Sequence, residues 1–233
     1  AVLTSFNVKK EMLEETSNNL ASTTDLLNET ISLFYTQSLD IVQSNFNTFK
    51  AVVYKSETSF SLNRLSTLPV DAVNQITRQK EKAVIPEMLY EGEKVYGNFD
   101  MVDRIVSEVN IDGFTATIFQ AFDNGLLRIS TTVKDNNGQR AHGTYIPKDS
   151  AVYKAVANGQ VYKCRAYVVN GWYWTIYEPI MENKKLIGVL YVGISENVLL
   201  ESLRSTFNSV VIGQTGFAYL LNSDGTYLLH KPL

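Results

Sequence analysis

Cysteine and histidine are scarce in this chain, which has one cysteine, Cys164, and two histidines, His142 and His230, among 233 residues. A single cysteine excludes an internal disulfide and the zinc sites that combine several cysteines. The two histidines are far apart in sequence, and neither belongs to a metal-ligand spacing such as HExxH. We therefore predict neither a metal site nor a cofactor.

Signatures of catalysis are also missing. The chain has no Gly-rich phosphate loop, no GxSxG elbow and no CxxCH haem site. His142 could be combined with Asp135 and Ser130 as a triad fragment, but the favoured interpretation is a partly exposed histidine in a turn. Cys164 lies in a predicted strand and is interpreted as a small buried residue rather than a nucleophile. The sequence thus predicts a protein that is not an enzyme.

Charge and hydropathy further restrict the classes of protein to which the chain could belong. Lysine and arginine number 21 against 24 acidic residues, which gives a net charge of −3, and no basic stripe alternates with aromatics. Nucleic acid is therefore not an expected partner. Hydrophobic residues make up 45% of the chain and charged residues 19%, a balance typical of a folded core. No run of apolar residues is long enough for a membrane helix, and AVLTSFNVKKEM is interpreted as the start of an excised fragment.

Proline and glycine are absent between residues 7 and 55, where the apolar residues follow a helical spacing. At ~1.5 Å per residue, such a helix would be roughly 70 Å long, too long for one globular domain to bury. Two interpretations stay open: a dimerising stalk that transmits motion, or a helix packed along its own domain. One stripe repeats every seven residues: Phe6, Leu13, Leu20, Leu27, Phe34 and Ile41.

Five β-rich runs joined by short turns predict an antiparallel sheet with one long insertion. Asn-Gly turns at residues 124–125 and 170–171 are strong hairpin signals. The insertion, residues 134–160, contains a short predicted helix, DSAVYKAVANG. The predicted strands are residues 115–122, 126–133, 161–169, 172–180 and 186–194.

The remaining segments flank this sheet. Residues 56–98 contain Pro69 and Pro86 and are predicted to form irregular connections and edge strands. Helices are predicted at residues 100–110 and 195–211.

One face of the predicted sheet carries polar and aromatic side chains. Because side chains alternate along a strand, Arg128, Ser130 and Thr132 are expected on one face of the second strand. The insertion could close over this face and form a small pocket, the usual form of a ligand site. Arg128 or Arg140 could hold a carboxylate through two hydrogen bonds. The alternative for each arginine is a structural salt bridge or a hydrogen bond that braces a loop.

The fourth strand adds aromatic side chains to this face. By the same alternation, Tyr173, Thr175 and Tyr177 lie together, and Trp172 and Trp174 point the other way. Both tryptophans are interpreted as core residues.

Six blocks along the chain have a recognisable order and spacing over about residues 98–194. They are GFTATIF (113–119), LRISTTV (127–133), NGQRAHGTYI (137–146), AVYKAVANGQVY (151–162), WYWTIYEPI (172–180) and IGVLYVGI (187–194). This series resembles the Cache sensor-domain family, in the Cache 3/Cache 2 fusion type of bacterial chemoreceptors and sensor histidine kinases. One departure is YKCRA, where Cys164 and Arg165 fill a position that tends to be small in the family.

The resemblance implies an α+β fold: a long N-terminal helix packed on a PAS-like five-stranded antiparallel sheet, with the start of a second module. The implied segments are residues 1–55, a helix for dimerisation and signalling; 56–194, the Cache sensor module; 195–211, a connecting helix; and 212–233, the start of a truncated, membrane-proximal Cache-like module.

The resemblance also implies a function: the periplasmic sensor part of an inner-membrane receptor, either a methyl-accepting chemotaxis protein or a histidine kinase. The expected partners are a short carboxylate or amino acid and a second copy of the chain, bound through the N-terminal helix. The full-length protein is expected to be membrane-anchored. The rival hypothesis is a ligand-free dimerisation module. The candidate ligand-binding residues are Arg128, Ser130, Arg140, Thr144, Tyr173, Thr175 and Tyr177.

Overall fold

The computed structural model describes residues 2–53, 60–212 and 215–230. Its helices are α1 (Val2–Val53), α2 (Asp100–Val109), α3 (Ala151–Ala157) and α4 (Glu196–Ser209). Its longer strands are β1 (Phe60–Asn74), β2 (Lys80–Tyr90), β4 (Phe114–Phe122), β5 (Gly125–Thr131), β6 (Thr144–Pro147), β7 (Tyr162–Val168), β8 (Gly171–Glu182) and β9 (Lys185–Ser195). The short strands are β3 (Glu93–Lys94), β10 (Val211–Ile212), β11 (Gly216–Phe217), β12 (Leu220–Leu221) and β13 (Tyr227–Leu229).

The chain divides into two compact units. One combines Ala1–Leu39 with Leu199–Leu233, and the other is Asp40–Val198. The predicted segment boundaries at residues 55 and 56 lie outside the described residues, as do residues 213–214 and 231–233 of the predicted second module. The four-segment division stays a prediction.

A nine-stranded sheet is the framework of the unit Asp40–Val198. Its strand order is β3-β2-β1-β6-β5-β4-β9-β8-β7. The last five strands are the five predicted ones, and every neighbouring pair among them is antiparallel. Two of the predicted turns, at residues 123–124 and 183–184, connect β4 to β5 and β8 to β9. The predicted α+β fold with its N-terminal helix is confirmed.

The segment before α2 is more regular than its prolines suggested. Residues 60–90 form a long antiparallel hairpin of β1 and β2, in which Pro86 pairs with Thr67 immediately after a register shift. Irregular positions of this kind are where strands tolerate proline. The predicted irregular connection is therefore wrong for most of this segment.

The insertion contributes to the sheet as well as covering it. Its strand β6 pairs with β5 in antiparallel fashion and with β1 in parallel fashion. Helix α3 then packs across β6, β7, β8 and β9, and the Ser150 hydroxyl caps its start by accepting a hydrogen bond from the Tyr153 N–H at 3.1 Å. Val156 of α3 is fully buried in the core that includes Phe119 of β4. We call this side of the sheet the α3 face.

The opposite side of the sheet is covered by helices. Ile118, next to Phe119 and therefore on the other side of β4, lines a small cavity with Met101 of α2. The last turns of α1 are tied to the sheet by an ion pair between Lys50 and Glu178, 2.7 Å, and by the Tyr90 hydroxyl, which donates to the Val53 carbonyl at 2.9 Å.

The unit of Ala1–Leu39 and Leu199–Leu233 has a core of its own. Phe34 of α1 is buried among apolar residues of α4 and the strands that follow it. Further towards the N-terminus of the stripe, Leu13 is 62% exposed and Leu20 is 40% exposed. The stripe thus packs within the unit at some turns and faces outward at others. None of the described helices has the length and apolar character that a bilayer crossing requires.

Candidate ligand-binding site

Arg128 is only 1% exposed and is the bulkiest fully buried side chain of the described residues. Its guanidinium lies over the Phe119 ring, 4.8 Å from the centroid. Its Nη1 donates a hydrogen bond to the Thr144 hydroxyl, and its Nη2 is 3.5 Å from Gln75 Oε1. None of the ion pairs within the described residues includes Arg128. The structure thus buries this side chain without a described carboxylate beside it.

The charge of Arg128 persists despite this burial. Desolvation lowers its pKa to about 10, and the neighbouring Tyr191 and Tyr177 act in the opposite direction. The guanidinium is therefore protonated at neutral pH. A buried ion without a partner is costly, because little water or counter-charge compensates the hydration it has lost. An anion bound here would supply that compensation.

Two tyrosines lie beside Arg128 on the α3 face. Tyr177 is 2% exposed and Tyr191 is fully buried, and their ring centroids are 5.0 Å apart. Burial is the main cause that raises the pKa of both hydroxyls, so both are neutral hydrogen-bond donors. Tyr191 fits because Gly193 has no side chain: a Cβ there would be 2.3 Å from the Tyr191 hydroxyl oxygen.

Thr144 connects the insertion to Arg128. Its hydroxyl accepts from Arg128 Nη1 and donates to the Ala141 carbonyl at 2.7 Å. Both functions of this hydroxyl are therefore used within the protein, and Thr144 holds the guanidinium in place.

Tyr173 and Thr175 lie further along β8. The Tyr173 hydroxyl donates to Asn170 Oδ1 at 3.4 Å, and Thr175 donates to the Cys164 carbonyl at 2.8 Å. Burial is the main cause that raises the pKa of the Cys164 thiol, which disfavours the reactive thiolate. Tyr173 and Cys164 both pack against the core of the α3 face.

A β-bulge in β5 places the Ser130 side chain on the opposite face of the sheet from Arg128. Ile118 pairs with Ser130 but the next residue, Phe119, pairs with Arg128, so Ile129 is an extra residue in β5. Such an insertion breaks the alternation of side chains. The Ser130 hydroxyl donates to the Asn98 carbonyl at 2.6 Å, in the connection that leads into α2. The predicted shared face of Arg128 and Ser130 is wrong for this physical reason.

Arg140 is a structural brace in this fold. Its Nη2 is 2.8 Å from Asp103 Oδ2 of α2, and its Nη1 donates to the Thr131 carbonyl at 2.6 Å. Its guanidinium also stacks on Phe99. Arg140 thus has a protein carboxylate, whereas Arg128 has none among the described residues. The structure keeps Arg140 apart from the Arg128 cluster.

The two tryptophans differ in environment. Trp174 is 8% exposed, which confirms its prediction as a core residue. Trp172 is 43% exposed, and the Arg165 guanidinium stacks on its ring with Cζ 3.9 Å from the ring centroid. The core prediction is therefore wrong for Trp172.

Three neighbours of Arg128 were not among the predicted site residues: Phe119, Tyr191 and Gln75. Tyr191 is difficult to recognise as a site residue because it lies in a continuous apolar run, residues 186–194. The sequence does contain one signal for Tyr191. Gly193 follows it by two residues on the same face of the strand, and a glycine there leaves room for a large ring. The ligand-binding roles of all seven candidate residues stay predictions, and the structure places Ser130 and Arg140 away from Arg128. Across the described ranges, no cluster of His, Cys, Asp or Glu side chains could hold a metal ion.

A comparison with protein families matches the Cache 3/Cache 2 fusion domain over residues 5–233. The chain belongs to this family. The resemblance seen in the sequence blocks is therefore confirmed and extends over nearly the whole chain. Cache domains are sensor modules that bind ligands and are not catalysts.

Two solved structures are similar to this Cache domain. The ligand-binding domain of the Campylobacter jejuni chemoreceptor Tlp3, in complex with 4-methylisoleucine, is 16% identical, with a TM-score of 0.46 over 93% of this chain and 69% of that chain. The Escherichia coli DcuS sensor domain is 19% identical, with a TM-score of 0.32 over 45% of this chain and 70% of that chain. No curated protein matches the chain.

Proposed function

We propose that this Cache domain is the periplasmic sensor part of a membrane receptor and binds a short carboxylate or amino acid beside Arg128. The receptor would be a methyl-accepting chemotaxis protein or a sensor histidine kinase. The observation that carries the proposal is the buried Arg128, for which the described residues supply no carboxylate. Bidentate binding of a ligand carboxylate would satisfy this cation. Tyr177 would complete the inner part of the site, where Thr144 holds the guanidinium in place. Tyr173 and Thr175 would contribute further along β8.

The connection from the sheet to α4 supports a role in signalling. Tyr191 lies on β9, and β9 continues into α4 with no loop between Ser195 and Glu196. A ligand that draws Tyr191 and Arg128 together would shift β9 along its axis and move the start of α4. Helix shifts of about 1–2 Å are typical of signalling transitions. The ligand produces such a shift only through a higher affinity for one of the two states.

Dimerisation through α1 is the second part of the proposal. Met12, Leu13 and Leu26 of α1 are each more than 60% exposed, and apolar side chains on one helix are what a coiled-coil partner buries. Residues 212–233 would begin a second, membrane-proximal module. The exposed apolar residues of α1 also support the rival function, a ligand-free dimerisation module.

A thermal-shift screen of short carboxylates and amino acids separates the two functions. A compound present at about a hundred times its Kd should add roughly 2.7 kcal/mol to the free energy of unfolding. Arg128→Met should abolish that shift, since it removes the cation but keeps a long apolar side chain.

Arg140→Met is the matched control, because it removes the same charge from the opposite side of the sheet. It should melt at a lower temperature but still respond to the ligand. A native chain that no compound stabilises, or an equal loss of response in both variants, would favour the ligand-free module.

A further inference from the structure

Arg165 shows how this protein holds a carboxylate. Its Nε and Nη2 donate to the two carboxylate oxygens of Glu196 at 2.6 and 2.7 Å. These two nitrogens form one edge of the planar guanidinium, and that edge matches the spacing of the two oxygens.

Arg128 presents the same edge without a carboxylate on it. Its Nε is buried and has no hydrogen-bond partner among the described residues. Among the described residues, the contact given for its Nη2 is that with Gln75 Oε1 at 3.5 Å, at the outer limit of a hydrogen bond. The Nη1, by contrast, is bonded to Thr144. The guanidinium is therefore fixed at one corner, and no described acceptor with two oxygens lies on its Nε–Nη2 edge.

Among the described residues, no carboxylate acts electrostatically on Arg128, Tyr177 or Tyr191. In the described part of the chain, the groups that act electrostatically on Tyr177 and Tyr191 are Arg128, Cys164, Tyr173 and one another. Burial favours the neutral form of each of these hydroxyls and of the thiol. The site thus offers one cation, neutral donors and the aromatic wall of Phe119.

We infer that the ligand is a short monocarboxylate without an amino group, an inference that rests on the proposed function of the Arg128 site. The ammonium of an amino acid would lie within a few ångströms of the guanidinium, and no described carboxylate is there to receive it. Like charges repel strongly at such distances in a site from which water is excluded. A dicarboxylate is disfavoured too, because its second charge would be buried without a second cation. The aromatic rings accept a short alkyl or planar tail.

Four related compounds test this inference by calorimetric titration and thermal shift of the native chain. Propionate and L-alanine differ by the ammonium, propionate and propionamide by the charge, and propionate and succinate by the second carboxylate. Propionate should bind and the other three should bind at least about tenfold more weakly, a difference of about 1.4 kcal/mol. Acetate with glycine, and butyrate with 2-aminobutyrate, repeat the ammonium comparison at other tail lengths.

The outcomes separate the inference from the proposed function. Binding of L-alanine or succinate as tight as that of propionate, lost in Arg128→Met, would overturn the inference and leave the proposed function standing. Propionate binding retained in Arg128→Met would overturn the placement of the carboxylate. A native chain that none of these compounds stabilises would overturn the inference, and the wider screen of carboxylates and amino acids would then decide the proposed function.

Discussion

The Thr144 hydroxyl bridges Arg128 and the insertion: it accepts from Arg128 Nη1 and donates to the Ala141 carbonyl at 2.7 Å. Thr144→Val keeps the shape of the side chain but removes this acceptor, leaving a charged N–H buried without a partner. We expect a loss of about 1 to 3 kcal/mol in the free energy of unfolding, the usual cost of such a group. Urea denaturation measures the loss.

Thr144→Ser is the matched control, because it keeps the hydroxyl and removes only a methyl group. It should retain most of the stability and the same anion affinity as the native chain. If Thr144→Val and Thr144→Ser were equally stable, the bond to Arg128 would contribute nothing to the fold.

The Tyr191 ring fits in its position because residue 193 has no side chain. A Cβ at this residue would lie 2.3 Å from the hydroxyl oxygen and 2.9 Å from Cζ of Tyr191. Gly193→Ala should therefore displace the Tyr191 ring, at a cost of about 1 to 3 kcal/mol for overpacking. Near-ultraviolet circular dichroism, which reports the tyrosine environment, and propionate affinity should both change.

Gly171 offers a control for that substitution. A Cβ at Gly171 would meet Tyr173 Cε2 at 3.6 Å, an ordinary contact. Gly171→Ala should leave the near-ultraviolet spectrum and the anion affinity nearly unchanged. If Gly193→Ala and Gly171→Ala had equal effects, crowding of the Tyr191 ring would not be the cause of the effect at residue 193.

The five core strands were predictable because their signals are local. Alternation along each run and Asn-Gly turns between runs depend only on neighbouring residues. The hairpin of residues 60–90 was missed because Pro69 and Pro86 read as breakers, while the register shift that accommodates Pro86 exists only once β1 has paired with β2. The parallel pairing of β6 with β1 is likewise a property of the assembled sheet.

The site was predictable in part for the same reason. The sequence predicts both Arg128 and Thr144 as site residues, and a hydrogen bond joins them in the structure. Ser130 was misplaced because the bulge at Ile129 depends on the register between two strands. The partner of Arg140, Asp103, lies 37 residues away on a helix whose position the sequence does not reveal. Tertiary pairing, rather than local pattern, decides which of the two arginines has a carboxylate among the described residues.

The ion pair between Arg165 and Glu196 should stabilise the start of α4. Glu196 is 4% exposed and accepts two hydrogen bonds from Arg165, which also stacks on Trp172. Glu196→Gln should lower the free energy of unfolding by about 1.5 to 3 kcal/mol, typical of hydrogen bonds to charged groups. Chemical denaturation of the variant measures this change.

Glu201→Gln tests the same substitution on the same helix at an exposed pair. Glu201 is 3.0 Å from Arg204, and the two side chains are 62% and 41% exposed. Exposed pairs contribute little, so the expected loss is below about 1 kcal/mol. A larger loss for Glu201→Gln than for Glu196→Gln would contradict a structural role for the buried pair.

His142 should make the fold less stable in mild acid. Its ring packs against Tyr96 and Phe99, at 4.7 and 5.7 Å between centroids, and its buried Nε2 has no hydrogen-bond partner among the described residues. Burial lowers the pKa of His142 from 6.5, and a backbone hydrogen bond at Ile129 offsets part of that shift. The charged groups nearby include Arg140, which stacks on Phe99 and is ion-paired with Asp103, and Asp71, which acts on Tyr96.

The direction of the pH effect follows from that lowered pKa. Well above 6.5 the imidazole is neutral in both the folded and the unfolded chain, so it contributes no pH dependence. As the pH falls below 6.5, the unfolded chain binds a proton that the folded chain does not, and stability decreases until the folded pKa is reached. Urea denaturation at about pH 7 and about pH 5.5 should therefore show a larger loss in the native chain than in His142→Asn, which cannot titrate. Carboxylates contribute equally to both proteins, so the difference between the two losses isolates His142. Equal losses would mean that the ring gains a proton as easily in the fold as in the unfolded chain.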